Sequence, residues 1–134
     1  MDENQANKKE EPYLILIIED DPLLSHMYDE KFKTEGFATL IANNGSDGLK
    51  LALEKQPALV LLDIMLPKGD GMSVLKRLRD DEKGKNIPVI ALTNKTERES
   101  AKEAMKYGAK EYLTKAMQSP EDVIQKVKSH LGMS

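Results

Sequence analysis

Short apolar runs alternate with segments of helical period along the 134 residues of this chain. Each run has the length of a strand and is bounded by glycine, proline or polar residues, which indicates buried strands rather than long helices. The five runs cover residues 13–18, 38–42, 58–63, 88–93 and 111–114. Five strands alternating with five helices predict an α/β fold, a three-layer doubly wound parallel sheet with helices on both faces.

Helix start and stop signals lie between the apolar runs. Pro22 opens the first predicted helix, with Asp21 as its N-cap, and Gly36 ends it. Gly45 leads into the second helix, which Pro57 terminates. The other three helices are marked by Met72, Val74, Leu75 and Leu78, then by a Thr96 and Glu99 capping-box pattern with Ala101, Ala104 and Met105, and finally by Ser119, Pro120, Val123, Ile124, Val127 and Leu131.

Composition narrows the class of protein. The length and the single alternating pattern predict one domain over residues 13–132, preceded by a disordered polar tail over residues 1–12. The lack of cysteine excludes disulfides and thiolate metal sites. The net charge of -3, with both signs mixed along the chain, does not indicate a basic surface for binding nucleic acid. No apolar stretch has the length of a membrane span or the form of a signal peptide, so we expect a cytoplasmic protein.

Polar residues stand at the ends of four predicted strands. Glu19 and Asp20 follow the first strand, Asp63 ends the third, Thr93 ends the fourth, and Lys115 follows the fifth. Right-handed crossovers place the carboxyl ends of parallel strands at one edge of the sheet, where open α/β sheets bind ligands. These residues are therefore expected to meet in one crevice, although they are far apart in the sequence.

The expected crevice carries three carboxylates and one ammonium group. Each close pair of carboxylates repels by about 4 kcal/mol at an effective dielectric of about 20, which a single lysine does not offset. Oxygen ligands without histidine or cysteine suit a hard divalent cation such as Mg²⁺. A metal-bound carboxylate beside an ammonium and a hydroxyl is suited to receive a phosphoryl group, with Asp63 attacking, Lys115 neutralising charge and Thr93 donating a hydrogen bond.

These motifs resemble the receiver (CheY-like) domains of two-component response regulators over about residues 13–131. The resemblance implies that Asp63 is the phosphoacceptor. It implies that Glu19 and Asp20 are the acidic pair that holds Mg²⁺ with Asp63. Met65 matches the residue whose backbone carbonyl binds the metal.

The rest of the resemblance concerns the switch and the fold. Thr93 matches the switch hydroxyl of the family, Lys115 its active-site lysine, and Tyr112 its switch aromatic residue. Pro67 and Gly71 fall at the family's spacing after the acceptor. The implied fold is flavodoxin-like, with strand order 2-1-3-4-5.

The resemblance also implies a function, a stand-alone phosphorylation switch rather than an enzyme that acts on a separate substrate. It would take a phosphoryl group from a sensor histidine kinase or a phosphotransfer protein. It would signal to a downstream protein through the face of the fourth helix, fifth strand and fifth helix, at about residues 96–131. We expect a monomer or a weak phosphorylation-dependent dimer, with neither nucleic acid nor membrane as partner.

Two other functions stay open at this point. An aspartyl-nucleophile phosphatase would normally carry a second aspartate two residues after the first, where this chain has Met65. A flavin-nucleotide binding module would need a phosphate-binding loop after the first strand, but the acidic sequence at that position of this chain would repel phosphate.

The chain also departs from the receiver pattern at two positions. Ala116 replaces the usual cis proline after the lysine, and Asn94 replaces a small residue after Thr93.

Overall fold

The strands form one parallel sheet. A computed structural model describes residues 11–66, 71–94 and 98–133. In these ranges the strands are β1 (Leu14–Ile18), β2 (Ala38–Ala42), β3 (Leu59–Asp63), β4 (Val89–Thr93) and β5 (Glu111–Thr114). Neighbouring strands are parallel, and their order across the sheet is β2-β1-β3-β4-β5. The predicted fold class and strand order are confirmed.

Helices connect the strands, and their caps follow the sequence signals. They are α1 (Pro22–Thr34), α2 (Gly45–Lys55), α3 (Gly71–Asp80), α4 (Arg98–Lys106) and α5 (Pro120–His130). Asp21 caps α1 as predicted, since its side chain accepts hydrogen bonds from the N–H groups of Leu23 and Leu24. Ser119 and Asp122 form a capping box at α5. The predicted Thr96 capping box and Pro67 lie outside the described residues.

The end of α1 shows why glycine is needed after it. Gly36 has a φ of +94°, in the left-handed region that side chains disfavour. This conformation turns the chain, so that the N–H of Phe37 donates to the carbonyl of Phe32 across 3.0 Å. Both rings are buried and pack edge to face at 5.3 Å. Gly36, predicted as the end of the helix, therefore also brings Phe37 into the core on this side of the sheet.

Alternate residues of the central strands pack on opposite faces of the sheet. One face carries Leu16, Ile18, Val60 and Leu62, which pack with Ala52 of α2, Met72, Val74, Leu75 and Leu78 of α3, and Ala104 of α4. The other face carries Ile15, Ile17, Leu59 and Leu61, which pack with Tyr28 and Phe32 of α1 and with Val123, Ile124 and Val127 of α5. The result is three layers with a core on each side of β1 and β3.

Helix α4 is the most weakly buried part of these layers. Of the apolar residues that mark it, Ala104 is buried, Ala101 is half-buried, and the side chain of Met105 is exposed. Since the residues of α4 are all described, this helix attaches to the core mainly through one small side chain. The sequence pattern gives the correct helix but overstates its apolar contact.

Arg79 links the loops at the amino-terminal edge of the sheet. Its guanidinium donates to the carbonyl oxygens of Tyr107 at 2.7 Å, of Gly84 and Ile87 at 3.0 Å each, and of Gly108 at 3.3 Å. These carbonyls belong to the segment before β4 and to the turn between α4 and β5. One side chain of α3 thereby satisfies backbone groups of two connections.

The described helices are short and amphipathic. None of them combines the length and apolar composition that crossing a bilayer requires. The domain limits predicted from the sequence, 1–12 and 13–132, stay a prediction, because most of the first segment lies outside the described residues.

Candidate functional site

The carboxyl ends of the strands bring the predicted polar residues together at one edge. Glu19 and Asp20 directly follow β1, Asp63 and Thr93 are the last residues of β3 and β4, and Lys115 directly follows β5. The backbone N–H of Lys115 donates to the carbonyl of Thr93 across 2.7 Å, which extends the pairing of β4 and β5 by one bond. The parallel sheet therefore sets the spacing of these residues, as the strand pattern predicts.

The Lys115 ammonium bridges two of the carboxylates. Its Nζ lies 2.8 Å from Glu19 Oε1 and 3.0 Å from Asp63 Oδ2. Glu19 and Asp63 are each only 4% exposed, so both ion pairs are largely screened from water. Charge-assisted hydrogen bonds of this length are stronger than neutral ones. Lys115 thus fixes the two carboxylates relative to each other.

The remaining oxygens of these carboxylates accept backbone hydrogen bonds. The N–H of Met65 donates to Asp63 Oδ1 at 2.9 Å, and the N–H of Asp21 donates to Glu19 Oε2 at 3.1 Å. Each carboxylate is therefore held at both oxygens, once by Lys115 and once by its own loop. Such double anchoring fixes the orientation of Asp63 and leaves its remaining lone pairs for a ligand.

The charges of this cluster oppose one another. Burial raises the pKa of Glu19 above its ordinary value, and this effect outweighs the hydrogen bond from Lys115, which lowers it. Burial alone would lower the pKa of Lys115, but its hydrogen bonds to Glu19 and Asp63 outweigh burial and raise the pKa. The carboxylates thus hold the lysine in its charged form, while one lysine is too little to compensate them.

A divalent cation fits the donor set of this cluster. Glu19, Asp20 and Asp63 each offer a carboxylate oxygen, and these three atoms lie within 4.8 Å of one another. Glu19 and Asp63 are buried while Asp20 is exposed, so a cation bound here would face solvent on one side. Hard cations such as Mg²⁺ prefer oxygen ligands and keep part of their water shell. The predicted role of the Met65 carbonyl as a further ligand stays a prediction.

The residues of this cluster line an open cleft of about 540 Å³. Asp21, Leu24, Asn94 and Ala116 line the cleft beside the charged residues. Asn94 is exposed there, so the residue after Thr93 faces any ligand that enters. The sequence does not predict Leu24 and Ala116 as residues of this cleft, because neither carries a group that would bind a metal or a phosphate.

Gly71 lies in close contact with the backbone of Asp63. In the sequence, the only signal of this contact is the distance of Gly71 from the acceptor, which matches the family's spacing. A Cβ atom at Gly71 would lie 2.1 Å from the carbonyl oxygen of Asp63 and 2.7 Å from Cα of Ile64. The N–H of Gly71 also donates to the carbonyl of Ile64 across 2.9 Å. The start of α3 therefore touches the backbone that carries the candidate acceptor, and no side chain fits between them.

The two predicted switch residues lie on neighbouring strands. Thr93 is fully buried at the end of β4. Tyr112 is half-buried on β5, pairs in register with Ala91, and packs against the core beneath α2, α3 and α4. The peptide between Lys115 and Ala116 is trans, since the described residues contain no cis peptide. The replacement of the family's usual proline thus goes with an ordinary backbone.

Comparison with known proteins gives the family. The response regulator receiver domain family matches residues 15–128, and the chain belongs to this family. The polar-differentiation response regulator DivK of Brucella anthropi is 34% identical over 121 residues, which cover 90% of this chain and 98% of DivK.

Solved structures agree with this assignment. A CheY-like response regulator receiver domain protein from Methanospirillum hungatei superposes with a TM-score of 0.84 and 26% identity, over 90% of this chain and 94% of the other. The Mn(2+)-bound form of the response regulator Rcp1 has a TM-score of 0.75 and 28% identity, with coverage of 90% and 94%. Receiver domains of response regulators are signalling switches, and the resemblance predicted from the sequence is confirmed.

Proposed function

We propose that this chain is a cytoplasmic phosphoacceptor of a two-component phosphorelay, in which Mg²⁺-dependent phosphorylation of Asp63 switches a protein-interaction surface. The phosphoryl group would come from a sensor histidine kinase or a phosphotransfer protein. The observation that carries the proposal is the position of Lys115 within 3.0 Å of both Glu19 and Asp63. Asp20 adds a third carboxylate oxygen within 4.8 Å of the other two.

Asp63 is the nucleophile in this proposal. One of its oxygens attacks the phosphorus of a phosphohistidine, and the phosphorus–nitrogen bond breaks. The electron pair of that bond stays on the imidazole, which takes up a proton from solvent as it leaves. The N–H of Met65 and the ammonium of Lys115 hold the carboxylate in place before the attack, so little reorganisation is needed.

Lys115 and Thr93 would then hold the product. Lys115 moves a hydrogen bond from Asp63 to a phosphoryl oxygen, and the Thr93 hydroxyl donates to another. Mg²⁺ bound by Glu19, Asp20 and Asp63 would neutralise the negative charge of the phosphoryl oxygens. The 28% identical Rcp1 in its Mn(2+)-bound form supports a divalent metal in this family.

Two features favour this function over the alternatives that the sequence leaves open. The residue two positions after Asp63 is Met65, whose side chain is 42% exposed and offers no acid to a phosphatase mechanism. The loop after β1 carries Glu19, Asp20 and Asp21, and these carboxylates repel the phosphate of a flavin nucleotide.

The output surface would be the face of α4, β5 and α5. A phosphoryl group on Asp63 would draw the Thr93 hydroxyl toward it, and the space released would admit the ring of Tyr112. Helix α4 is suited to respond, because Ala104 is its one buried residue. A downstream protein or a second copy of the chain would bind this face, so a monomer or a weak phosphorylation-dependent dimer is expected.

Intact-mass measurement tests the acceptor. With Mg²⁺ and a small acyl phosphate, the native protein should gain one phosphoryl mass, while Asp63→Asn should fold normally and gain none. Asp80→Asn, an exposed aspartate of α3, is the matched control and should label like the native protein. Full labelling of Asp63→Asn would refute the assignment of the acceptor.

Amide NMR with beryllofluoride, a phosphoryl mimic, tests the output. Large shift changes should appear at Tyr112 and along Arg98–Lys106 in the native protein, and they should shrink in Thr93→Ala. Changes confined to the loops around Asp20 and Asp63 would show that the ligand binds without driving this surface.

A further inference from the structure

A second cleft lies at the opposite edge of the sheet from Asp63. It has a volume of about 400 Å³ and is bordered by Pro88 and Lys110, the residues that directly precede β4 and β5. This volume falls within the range of small-molecule sites in proteins. The cleft therefore belongs to the amino-terminal edge of the sheet and shares no residue with the acidic cleft.

The lining of this cleft is basic. Arg79, Lys85, Lys106 and Lys110 line it, and its remaining lining residues, Asn86, Ile87, Pro88, Tyr107 and Gly108, include no carboxylate. In a chain with a net charge of -3, four cations around one cleft are a local reversal of sign. Such a cleft concentrates anions by its electrostatic field.

Three of these cations have no carboxylate to compensate them in the part of the chain that the structure describes. Lys85 is paired with Glu82 at 3.1 Å. Arg79 donates to backbone carbonyls, which are neutral, so its charge stays uncompensated and one N–H of its Nη2 group remains. Lys106 and Lys110 are exposed and form no ion pair within the described ranges.

Arg79 also makes the cleft rigid. Its four hydrogen bonds hold the carbonyls of Gly84 and Ile87 against those of Tyr107 and Gly108, so both walls are fixed before any ligand arrives. A preorganised site loses less conformational entropy on binding than a flexible one. The half-buried ring of Tyr107 lies on the same wall, with Nζ of Lys76 at 5.4 Å and Nζ of Lys106 at 6.0 Å from its centroid.

We propose that this basic cleft binds a small ligand that carries at least two adjacent phosphate groups. One phosphate group carries about 1.5 to 2 negative charges at pH 7, which is less than the charge of Arg79, Lys106 and Lys110 together. A diphosphate compensates all three cations, and a base attached to the diphosphate would contact the Tyr107 ring on the wall of the cleft. Free diphosphate and a nucleoside diphosphate share this chemistry.

Titration calorimetry in buffer freed of divalent metal ions tests the proposal, with orthophosphate, pyrophosphate and ADP as ligands. Omitting metal keeps the acidic cleft from binding phosphate. Pyrophosphate should bind with one site per chain and about tenfold more tightly than orthophosphate, because it engages more of the cations. Amide shifts should change at Tyr107, Gly108 and Lys110 and should not change near Asp63.

Two double variants distinguish a specific binding site in the cleft from nonspecific attraction of the anion to surface lysines. Replacing Lys106 and Lys110 by Gln should weaken pyrophosphate binding about tenfold or more, because two charge-assisted contacts are lost. Replacing Lys102 and Lys126 by Gln removes the same charge from exposed positions outside the cleft and should change the affinity by less than about twofold.

The results show whether the cleft recognises a nucleotide or only its diphosphate group, and which outcomes would refute the proposal. Tighter binding of ADP than of pyrophosphate, with the excess lost in Tyr107→Leu, identifies a nucleotide. Equal or weaker binding of ADP identifies the diphosphate group alone. Equal losses in the two double variants, or no measurable pyrophosphate binding, would overturn the proposal. Binding that disappears in Asp63→Asn would also overturn it, because it would place the anion in the other cleft.

Discussion

Replacing Lys115 by Met should destabilise the metal-free protein and should do so less at lower pH. The change removes the ammonium that lies 2.8 Å from Glu19 and 3.0 Å from Asp63 and keeps a side chain of similar length. Both carboxylates are 4% exposed, so each would keep a buried charge without a cation. Removing one partner of a buried ion pair costs about 3 to 5 kcal/mol.

Protonation of Glu19 sets an upper limit on the electrostatic part of the cost at this residue. The ordinary pKa of Glu19 is 4.5, so protonating it at pH 7 costs about 3.4 kcal/mol, at about 1.36 kcal/mol per pH unit. We therefore expect a loss of about 3 kcal/mol at pH 7, or about 10 °C in Tm for a chain of this size. At pH 5.5 the same limit is only about 1.4 kcal/mol.

The direction of the pH effect follows from the pKa shifts. The pKa of Glu19 is already raised in the native protein, and losing Lys115 raises it further. Above pH 4.5 the folded state then binds more protons than the unfolded state, so stability increases as the pH falls. The raised pKa of Lys115 means that its contribution is fully present below its ordinary value of 10.5, so lysine titration adds nothing between pH 5.5 and 7.

Urea unfolding of both proteins at pH 5.5 and 7 measures this difference. Lys85→Met is the control, because its ion pair with Glu82 is exposed and should contribute less than about 1 kcal/mol. An equal loss for Lys115→Met at the two pH values would refute the reasoning, since a packing defect does not depend on the protonation of carboxylates.

Two further substitutions examine the metal and the backbone of the site. Mg²⁺ at ten times its Kd should stabilise the native protein by about 1.4 kcal/mol, and the rise in Tm should largely vanish in Asp20→Asn; equal rises would place the metal elsewhere. Gly71→Ala should cost about 3 kcal/mol in urea unfolding and slow the labelling of Asp63, because its Cβ would lie 2.1 Å from the Asp63 carbonyl oxygen. Native-like stability and labelling of that variant would show that α3 and the acceptor loop move apart freely.

Much of the fold was predictable because its signals are local. Strand β2 and the end of β3 at Asp63 follow from apolar runs with sharp polar limits, and Asp21 and Ser119 follow from cap chemistry. The meeting of Glu19, Asp63 and Lys115 was also predictable, because parallel strands with right-handed connections share one carboxyl edge.

The parts that could not be predicted depend on distant contacts. Arg79 reaches the carbonyl of Tyr107, 28 residues away, and nothing in the local sequence of α3 indicates that partner. The contact of Gly71 with the Asp63 backbone depends on how closely α3 approaches β3, which helical periodicity does not give. The exposure of Met105 depends on how far α4 lies from the sheet. The position of Met105 in the helical period is compatible with either a buried or an exposed side chain.

Helix α4 is anchored near its carboxyl end, and a rigid helix anchored there acts as a lever. Arg79 binds the carbonyls just beyond this end, Lys76 pairs with Glu103 at 2.7 Å, and Ala104 is the one buried residue among Arg98–Lys106. Nine residues of helix measure about 13 Å, so a tilt of about 10° about the fixed end moves Arg98 by about 2 Å and Lys106 hardly at all. A small change at the end of β4 would therefore appear as a large displacement at the amino-terminal end of α4, and a partner that contacts that end would sense it most strongly.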